Sequence, residues 1–350
     1  MITTDTSLAE WLPRFRGAEW LAVDTEADSL HSYPEKICLI QISIPGHDVL
    51  VDPLARIDLQ PLLNVFRECE LLMHGSDYDL RLLQRGHRFV AGKLFDTMIA
   101  ARLLGLEQFG LSNLVEKFLG IKLDKGSQKA DWSRRPLSPR MEAYARNDTH
   151  HLNAIVTILR AELIAKGRLA WQEESCSQLV AECAVPRVED ADEIWRVKGS
   201  FRLGRRPLAV LREMWHWRDA EARAANRPPF FILSHEAMVH LATEATHGPV
   251  DQHFPRHLSP GRRAGVTRAI EKGLACPEAD LPHPPEHKGR RPTEAENRRM
   301  DQLKVIRDRH AKELGIDPTL IASRLTLLAL AQDWEKHSAE LMNWQRELLK

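Results

Sequence analysis

Residues 20–26, Trp-Leu-Ala-Val-Asp-Thr-Glu, constrain this chain more than any other stretch. The apolar run Trp20–Val23 reads as the start of a buried strand, and Asp24 and Glu26 interrupt it. Strand side chains alternate in direction, so residues two apart point to one face. Two carboxylates therefore emerge side by side from a rigid element at the edge of a core. Bare, they repel, and one is driven to hold a proton. A cation between them removes that penalty, and hard divalent ions such as magnesium and manganese take oxygen ligands of this kind. A lone D-x-E at a strand end is ordinarily a solvated pair. The rest of the chain must therefore supply further carboxylates if a site is meant.

Composition sets the frame. A length of 350 residues suggests two or three domains, and an apolar fraction of 43% is enough for sizeable cores. The formal charge of zero hides an asymmetry: residues 201–350 carry 25 Lys plus Arg against 20 Asp plus Glu, and residues 1–200 carry 24 against 29. An acidic front and a mildly basic back suit a metal–carboxylate site joined to a module that holds a polyanion. Cys38, Cys69, Cys176, Cys183 and Cys276 form no C-x-x-C pair, so neither a zinc site nor a disulfide framework is expected, and a reducing cytoplasm is the natural setting. Met1–Arg16 carries Asp5 and Glu10 without a long apolar core, which excludes a signal peptide. No run of about 18 apolar residues occurs, so no membrane span or membrane partner is expected.

The first half alternates strand and helix patterns. Residues 7–16 form an amphipathic helix candidate. Strands are expected at 37–44, 48–51, 71–73 and 93–95, and helices at 61–69, from Ser76 onward, from Asp96-Thr97 to 104, and at 111–119 between Gly110 and Gly120. Residues 122–137 form a polar, basic loop. Ser138-Pro139 opens a helix that carries Tyr144 and Asp148, four apart and so on one face. From about 155 to 183 the pattern stays helical. Residues 186–200 read as an acidic linker, 201–280 as all-helical, 281–292 as a Pro-rich linker and 293–350 as a last helical module.

Four acids stand out: Asp24 and Glu26 on a strand, Asp79 early in a helix, and Asp148 with Tyr144 one turn before it. Their order resembles the D-x-E … D … Y-x-x-x-D pattern of tyrosine-type 3′–5′ exonucleases. The blocks VDTEADSL, KICLIQIS, LLMHGSDYDLRLL, LFDTMIAARLLG, GLSNLVEKFLGIKLDKGSQKADWSRRPL and YARND narrow the resemblance to the ribonuclease D family over roughly residues 8–185. Residues 195–242 resemble a helicase-and-RNase-D C-terminal (HRDC) domain, and 297–331 resemble a second, more divergent copy. The resemblance implies an α/β ribonuclease H-like exonuclease domain (mixed sheet flanked by helices) over 1–185. It implies two all-α HRDC helical bundles after it, over 201–280 and 293–350.

The same resemblance implies metal-dependent 3′–5′ exoribonuclease activity with two divalent ions, Mg2+ or Mn2+. Asp24 would bridge both ions, with Glu26 and Asp148 on the nucleophile side, Asp79 on the leaving-group side, and Tyr144 orienting the attacking water. Ala143 stands where a related class carries histidine, which excludes the histidine subtype. The implied partner is RNA, with transfer RNA precursors or other structured RNA bearing a single-stranded 3′ end as substrate. Candidate substrate contacts are Thr25, His74, Lys125, Gln128, Lys129, Trp132 and Arg134, since such side chains bind phosphates or stack bases on single strands. His150 and His151 follow Asp148 but point away from its face. Trp215 and Trp217 are expected in the core of the helical module, with Arg212 and Arg218 as an RNA-facing surface. A DNA-directed exonuclease and a catalytically silent RNA-binding scaffold remain the alternatives.

Overall fold

Leu21–Ala27 (β1), Ile37–Ile44 (β2), His47–Val51 (β3), Glu70–Met73 (β4) and Lys93–Asp96 (β5) form one mixed sheet in the order β3-β2-β1-β4-β5. β1 pairs antiparallel with β2 and parallel with β4. β2–β3 is antiparallel and β4–β5 parallel. Ile44 pairs with His47, so Pro45-Gly46 is a two-residue turn, and Gly46 takes the φ of 76° that such a turn demands. The protein is described here from a computed structural model covering residues 1–124, 126–186, 190–284 and 290–350.

The helices of the first half are Asp5–Arg16 (α1), Gln60–Glu68 (α2), Asp77–His87 (α3), Thr97–Leu103 (α4), Leu111–Leu119 (α5), Pro139–His150 (α6), Leu152–Ala165 (α7) and Leu169–Ala184 (α8). Each expected strand and helix is present, shifted by at most a few residues, and the helical run after Asp148 breaks at Gly167. Alternation along the central strands sorts the two sheet faces. Val23, Ile40 and Ile42 pack on Leu8 and Phe15 of α1, Leu62 and Phe66 of α2, and Leu80 and Leu83 of α3. On the other face Ala22, Leu72 and Phe95 pack on α4 and α7. Leu39 and Leu50 on that face meet Trp132, Leu137 and Ala145 beneath α6. Asp24 and Glu26 continue the Ala22 face, toward α6.

The chain divides into two compact units, and the division departs from the contiguous modules expected. The second unit comprises Arg187–Arg290 together with Asp28–Lys36, the connection between β1 and β2. Its helices are Arg205–Ala225 (α9), Pro229–Ile232 (α10), His235–Glu244 (α11) and Pro260–Leu274 (α12). Trp195 and Val197, expected in a linker, are buried in its core with Leu208, Leu211, Met214 and Leu241. Within the same unit the Tyr33 hydroxyl donates to Asp219, and the Tyr33 N–H donates to Asn226 Oδ1 at 3.2 Å.

Residues 291–350 belong to the first unit. Their helices are Glu294–Leu314 (α13), Pro318–Ile321 (α14), Arg324–Gln332 (α15), Trp334–Ser338 (α16) and Asn343–Glu347 (α17). Ala311, Ile316, Leu327 and Trp344 share an apolar core with Leu103, Leu114, Ile155 and Leu159. Trp344 stacks on Trp171 with ring centroids 5.0 Å apart. Buried Arg168 donates to Leu103 O at 2.7 Å and to Leu314 O at 2.8 Å. Gly105 lies so close to this module that a Cβ there would sit 1.9 Å from the Gly315 carbonyl oxygen. Hydrophobic periodicity marks which face of a helix is buried but not what covers it, so the shared core was invisible in the sequence.

α9–α10–α11 and α13–α14–α15 repeat one another at a constant offset of 89 residues. Each begins with a 21-residue helix. Asn226 and Gly315 end these helices in left-handed conformation, and Pro229 and Pro318 open four-residue helices. Ser234 and Ser323 cap the next helices. Buried Arg218 donates to Leu233 O at 3.1 Å, and buried Arg307 donates to Ala322 O at 2.9 Å. Arg218 therefore pins the inside of its module and corrects the expectation of an RNA-facing side chain; only 4% of it is exposed.

Candidate active site

The site forms where β1 meets α6 and α3. The pleat of β1 presents Asp24 and Glu26 on the α6 face. Ser138 caps α6 by accepting from Met141 N, with Pro139 at its first position. That start sets the helix phase, so Tyr144 and Asp148 point at the two strand carboxylates. One oxygen each from Asp24, Glu26 and Asp148 lies within 4.8 Å of the others, the one such acidic cluster among the described residues. Asp79, in the first turn of α3, approaches from the other side of the sheet and adds its charge to the field at Asp24.

Burial raises all four acids, and repulsion from the other acids of the set adds to it at Asp24 and Glu26. Glu26 is pushed to about 9, first by burial and then by Asp148 and Asp79. Asp148 rises to about 7 through burial, against a hydrogen bond from Tyr144 that lowers it. Asp79 rises to about 6, its burial opposed by the hydrogen bond from Thr25. Asp24 is held well above the usual carboxylate range by burial and by the charges of Asp79, Asp148 and Glu26. Four acids in this state are a poor resting arrangement for anions and a good one for a hard divalent cation, which removes the repulsion and takes oxygen donors. Burial and the three nearby carboxylates raise the Tyr144 phenol as well, so it stays a neutral hydroxyl.

Neighbouring residues hold this set in place. The Thr25 hydroxyl donates to Asp79 Oδ1, so Thr25, expected to touch substrate, is instead engaged with a carboxylate. Trp132, expected to stack a base, is 1% exposed and packs on Tyr144 with centroids 6.0 Å apart. Both ring faces are used in the core, which corrects that expectation and makes Trp132 a backing for Tyr144. His74 lies half-buried, its Nδ1 2.8 Å from Thr97 Oγ1. Gln128 and Lys129 are exposed, and Arg134 is exposed beside Asp131 at 3.1 Å. Lys125 lies outside the described residues. His150 turns from the cluster to Asp48, 2.7 Å away, as expected from its place on α6. Arg146 likewise donates to the Asp48 carbonyl.

Asp96 carries more than the helix cap expected of it. Besides Met98 N and Ile99 N, its carboxylate accepts from Gly75 N at 3.1 Å, Ser76 N at 2.7 Å and Ser76 Oγ at 2.8 Å. It thereby fixes the entry to α3, and with it Asp79. Ser76 occupies the N-cap position as expected, but its hydroxyl serves Asp96 instead of the helix. Gln41 is a polar residue within the apolar run Ile37–Ile44, and its residue type is the one signal of it in the sequence; it faces Asp24 across the β1–β2 pair.

Comparison with known proteins agrees with this geometry. A 3′–5′ exonuclease family model matches residues 1–164, and an HRDC domain model matches residues 208–246. The ribonuclease D of Jannaschia sp. is 32% identical over 336 residues, covering 92% of this chain and 86% of that protein. The chain belongs to the ribonuclease D family. The family's Gluconacetobacter diazotrophicus member is 31% identical over 359 residues, covering 99% of this chain and 89% of its own. The solved structure of Escherichia coli RNase D, titled an exoribonuclease involved in structured RNA processing, covers 100% of this chain and 97% of its own at 26% identity and a TM-score of 0.75. As a ribonuclease D family member the chain is a 3′–5′ exoribonuclease, with a mixed sheet flanked by helices and a helical HRDC domain. Among the described residues no helix is long and apolar enough to cross a membrane.

Proposed function

We propose that this protein shortens RNA from the 3′ end with two divalent ions, Mg2+ or Mn2+, and releases nucleoside 5′-monophosphates, with transfer RNA precursors as substrates. The observation that carries this reading is the cluster of Asp24, Glu26 and Asp148 with Asp79 behind it and Tyr144 on its rim. When bound, divalent ions supply charge neutralisation for the attacking and leaving oxygens of an in-line displacement. The side chains do the rest. Asp24, central among the other acids, would serve both ions, with Glu26 and Asp148 on the nucleophile side and Asp79, steadied by Thr25, on the leaving side. The neutral Tyr144 hydroxyl orients a water beside Asp148. Gln128, Lys129 and Arg134, exposed on the loop after α5, suit the phosphates of a single strand, and Lys125 and His74 keep their place as candidate contacts.

The domain reading is an exonuclease part over 1–185 and an HRDC domain over 201–280, followed by a second HRDC-like unit over 293–350. Support for the last comes from the helix lengths, caps and buried arginines that recur at one offset. The cysteines, none of them in a disulfide, suit a reducing cytoplasm.

A time course on 3′- and 5′-labelled RNA, with and without Mg2+, tests this. Stepwise release of 5′-monophosphates from the 3′ end, lost in Asp24→Ala and Asp148→Ala, is the expected result. Full activity in those variants would overturn the site assignment. The same carboxylate chemistry serves DNA, so matched RNA and DNA oligonucleotides in competition belong beside it; preference for DNA would overturn the substrate.

A further inference from the structure

Gln41 is fully buried at 0% exposure, and neither its amide nitrogen nor its carbonyl oxygen has a partner among the described residues. A buried amide left unpaired on both sides is costly, and a native protein keeps one only for a reason. Its surroundings narrow that reason. Gln41 is the cross-strand partner of Asp24 on β1 and of Leu50 on β3. Residues directly opposite in an antiparallel pair share a face and lie within side-chain reach. On its own strand the flanking residues of that face are Leu39 and Ser43. The Ser43 hydroxyl is already spent, 2.6 Å from Asp48 and 2.7 Å from Thr149. Leu39 and Leu50 are apolar. Asp24 is therefore the polar side chain next to Gln41 along the sheet. An apolar residue would suit the position by every packing criterion, as Ile40 and Ile42 do on the opposite face.

We propose that Gln41 is a positioning residue of the metal centre: its carboxamide, unpartnered without metal, engages the neighbouring Asp24 carboxylate, and a water beside it, when a divalent ion is bound, and so fixes the orientation in which Asp24 holds the ion. The proposal rests on the metal-site reading above and adds to it a residue outside the acidic set. The Gln41 N–H is the donor that an ionised carboxylate needs, and its carbonyl is the acceptor that an ion-bound water needs. Partners of this kind around carboxylate ligands orient them and strengthen ion binding.

Gln41→Met tests it, since methionine keeps the length and removes both polar groups. Full-length parent, Gln41→Met and Asp24→Asn proteins are titrated with Mn2+ by calorimetry, and the melting temperature of each is read without metal. The expected result is Mn2+ affinity weakened about 10- to 100-fold in Gln41→Met, the range found for such partners, with a metal-free melting temperature equal to or above the parent's. A purely structural glutamine would move the two readouts together, and a lowered metal-free melting temperature would overturn the proposal. Parent-like Mn2+ affinity in Gln41→Met, with binding lost in Asp24→Asn, would overturn it while leaving the metal site standing. A parent that binds no Mn2+ would overturn the metal site itself, and Gln41's role with it.

Discussion

The Thr25 hydroxyl donates a hydrogen bond to the Asp79 carboxylate, tying strand β1 to helix α3 inside the site. The bond lies on the sheet face opposite the two strand carboxylates. Asp24 and Glu26 lie on the α6 face of β1, whereas Thr25 points the other way, toward the face covered by α3. One strand thus presents two carboxylates directly and steadies a third through the residue between them. Thr25→Val keeps shape and burial but removes the hydroxyl. It is expected to lower kcat/KM on labelled RNA about 10- to 100-fold, as loss of an outer partner of a carboxylate ligand does. Thr25→Ser should retain most activity, and a fully active valine variant would show that the bond is incidental.

Proton and metal compete at this site, and the direction can be worked out. Glu26 at about 9, Asp148 at about 7 and Asp79 at about 6 lie above the values of about 4 in an unfolded chain. The folded, metal-free protein therefore binds more protons than the unfolded chain between about pH 4 and about pH 9, so its stability falls as pH rises through that window. A bound divalent ion keeps the same carboxylates ionised and removes the penalty. The gain in melting temperature on adding Mg2+ or Mn2+ should thus be small near pH 5.5 and larger near pH 8.5. A gain that shrinks with rising pH would contradict the site. Chelator should abolish cleavage, and Mg2+ or Mn2+ should restore it.

Arg168 offers a test of how the last sixty residues are held. It donates to the carbonyls that end α4 and α13, at 2.7 and 2.8 Å. Arg168→Met removes two hydrogen bonds from a charged donor and leaves two buried carbonyls unpaired, an expected loss of roughly 2–4 kcal/mol in urea unfolding. Because α13–α17 share an apolar core with α4, α5 and α7, deleting 291–350 should expose that core and cause aggregation. RNA binding by this segment is better probed by replacing its exposed cations. A stable, soluble protein lacking 291–350 would mean that the shared core contributes little.

The legible and illegible parts of the molecule divide along a physical line. Strand alternation and helix caps are local, so β2, α5 and the Ser138-Pro139 start of α6 could be read residue by residue. Asp24 and Glu26 stood out because an apolar strand has no packing reason to carry carboxylates, and Asp79, Tyr144 and Asp148 joined them through the D-x-E … D … Y-x-x-x-D resemblance. Direction and partner are not local properties. Nothing in the polar loop around Trp132 says that its indole turns inward to Tyr144. Nor does the charge of Arg218 say that it pins a buried carbonyl. The second unit's claim on Asp28–Lys36 depends on contacts nearly two hundred residues apart in sequence, such as Tyr33 with Asp219. Gln41 lies between these cases: its polarity was visible, but its place opposite Asp24 needed the strand register.

Tyr144 gives the sharpest test of mechanism. Its hydroxyl donates to Asp148, and burial with three nearby carboxylates raises its pKa above the ordinary phenol value. A phenol held in that state donates and orients but does not take a proton from water at workable pH. Tyr144→Phe keeps the ring against Trp132, 6.0 Å away, and removes the oxygen alone. The expected effect is a fall in kcat of about 10²- to 10³-fold, the cost of losing one preorganised donor, with KM and Mn2+ affinity within a few-fold of the parent. The pH–rate profile separates orientation from base catalysis. A water-orienting tyrosine leaves the profile's shape unchanged when replaced, because its own ionisation never entered the rate. A tyrosine acting as base would contribute a limb that disappears in the phenylalanine variant, and finding such a limb would reassign the proton to Tyr144.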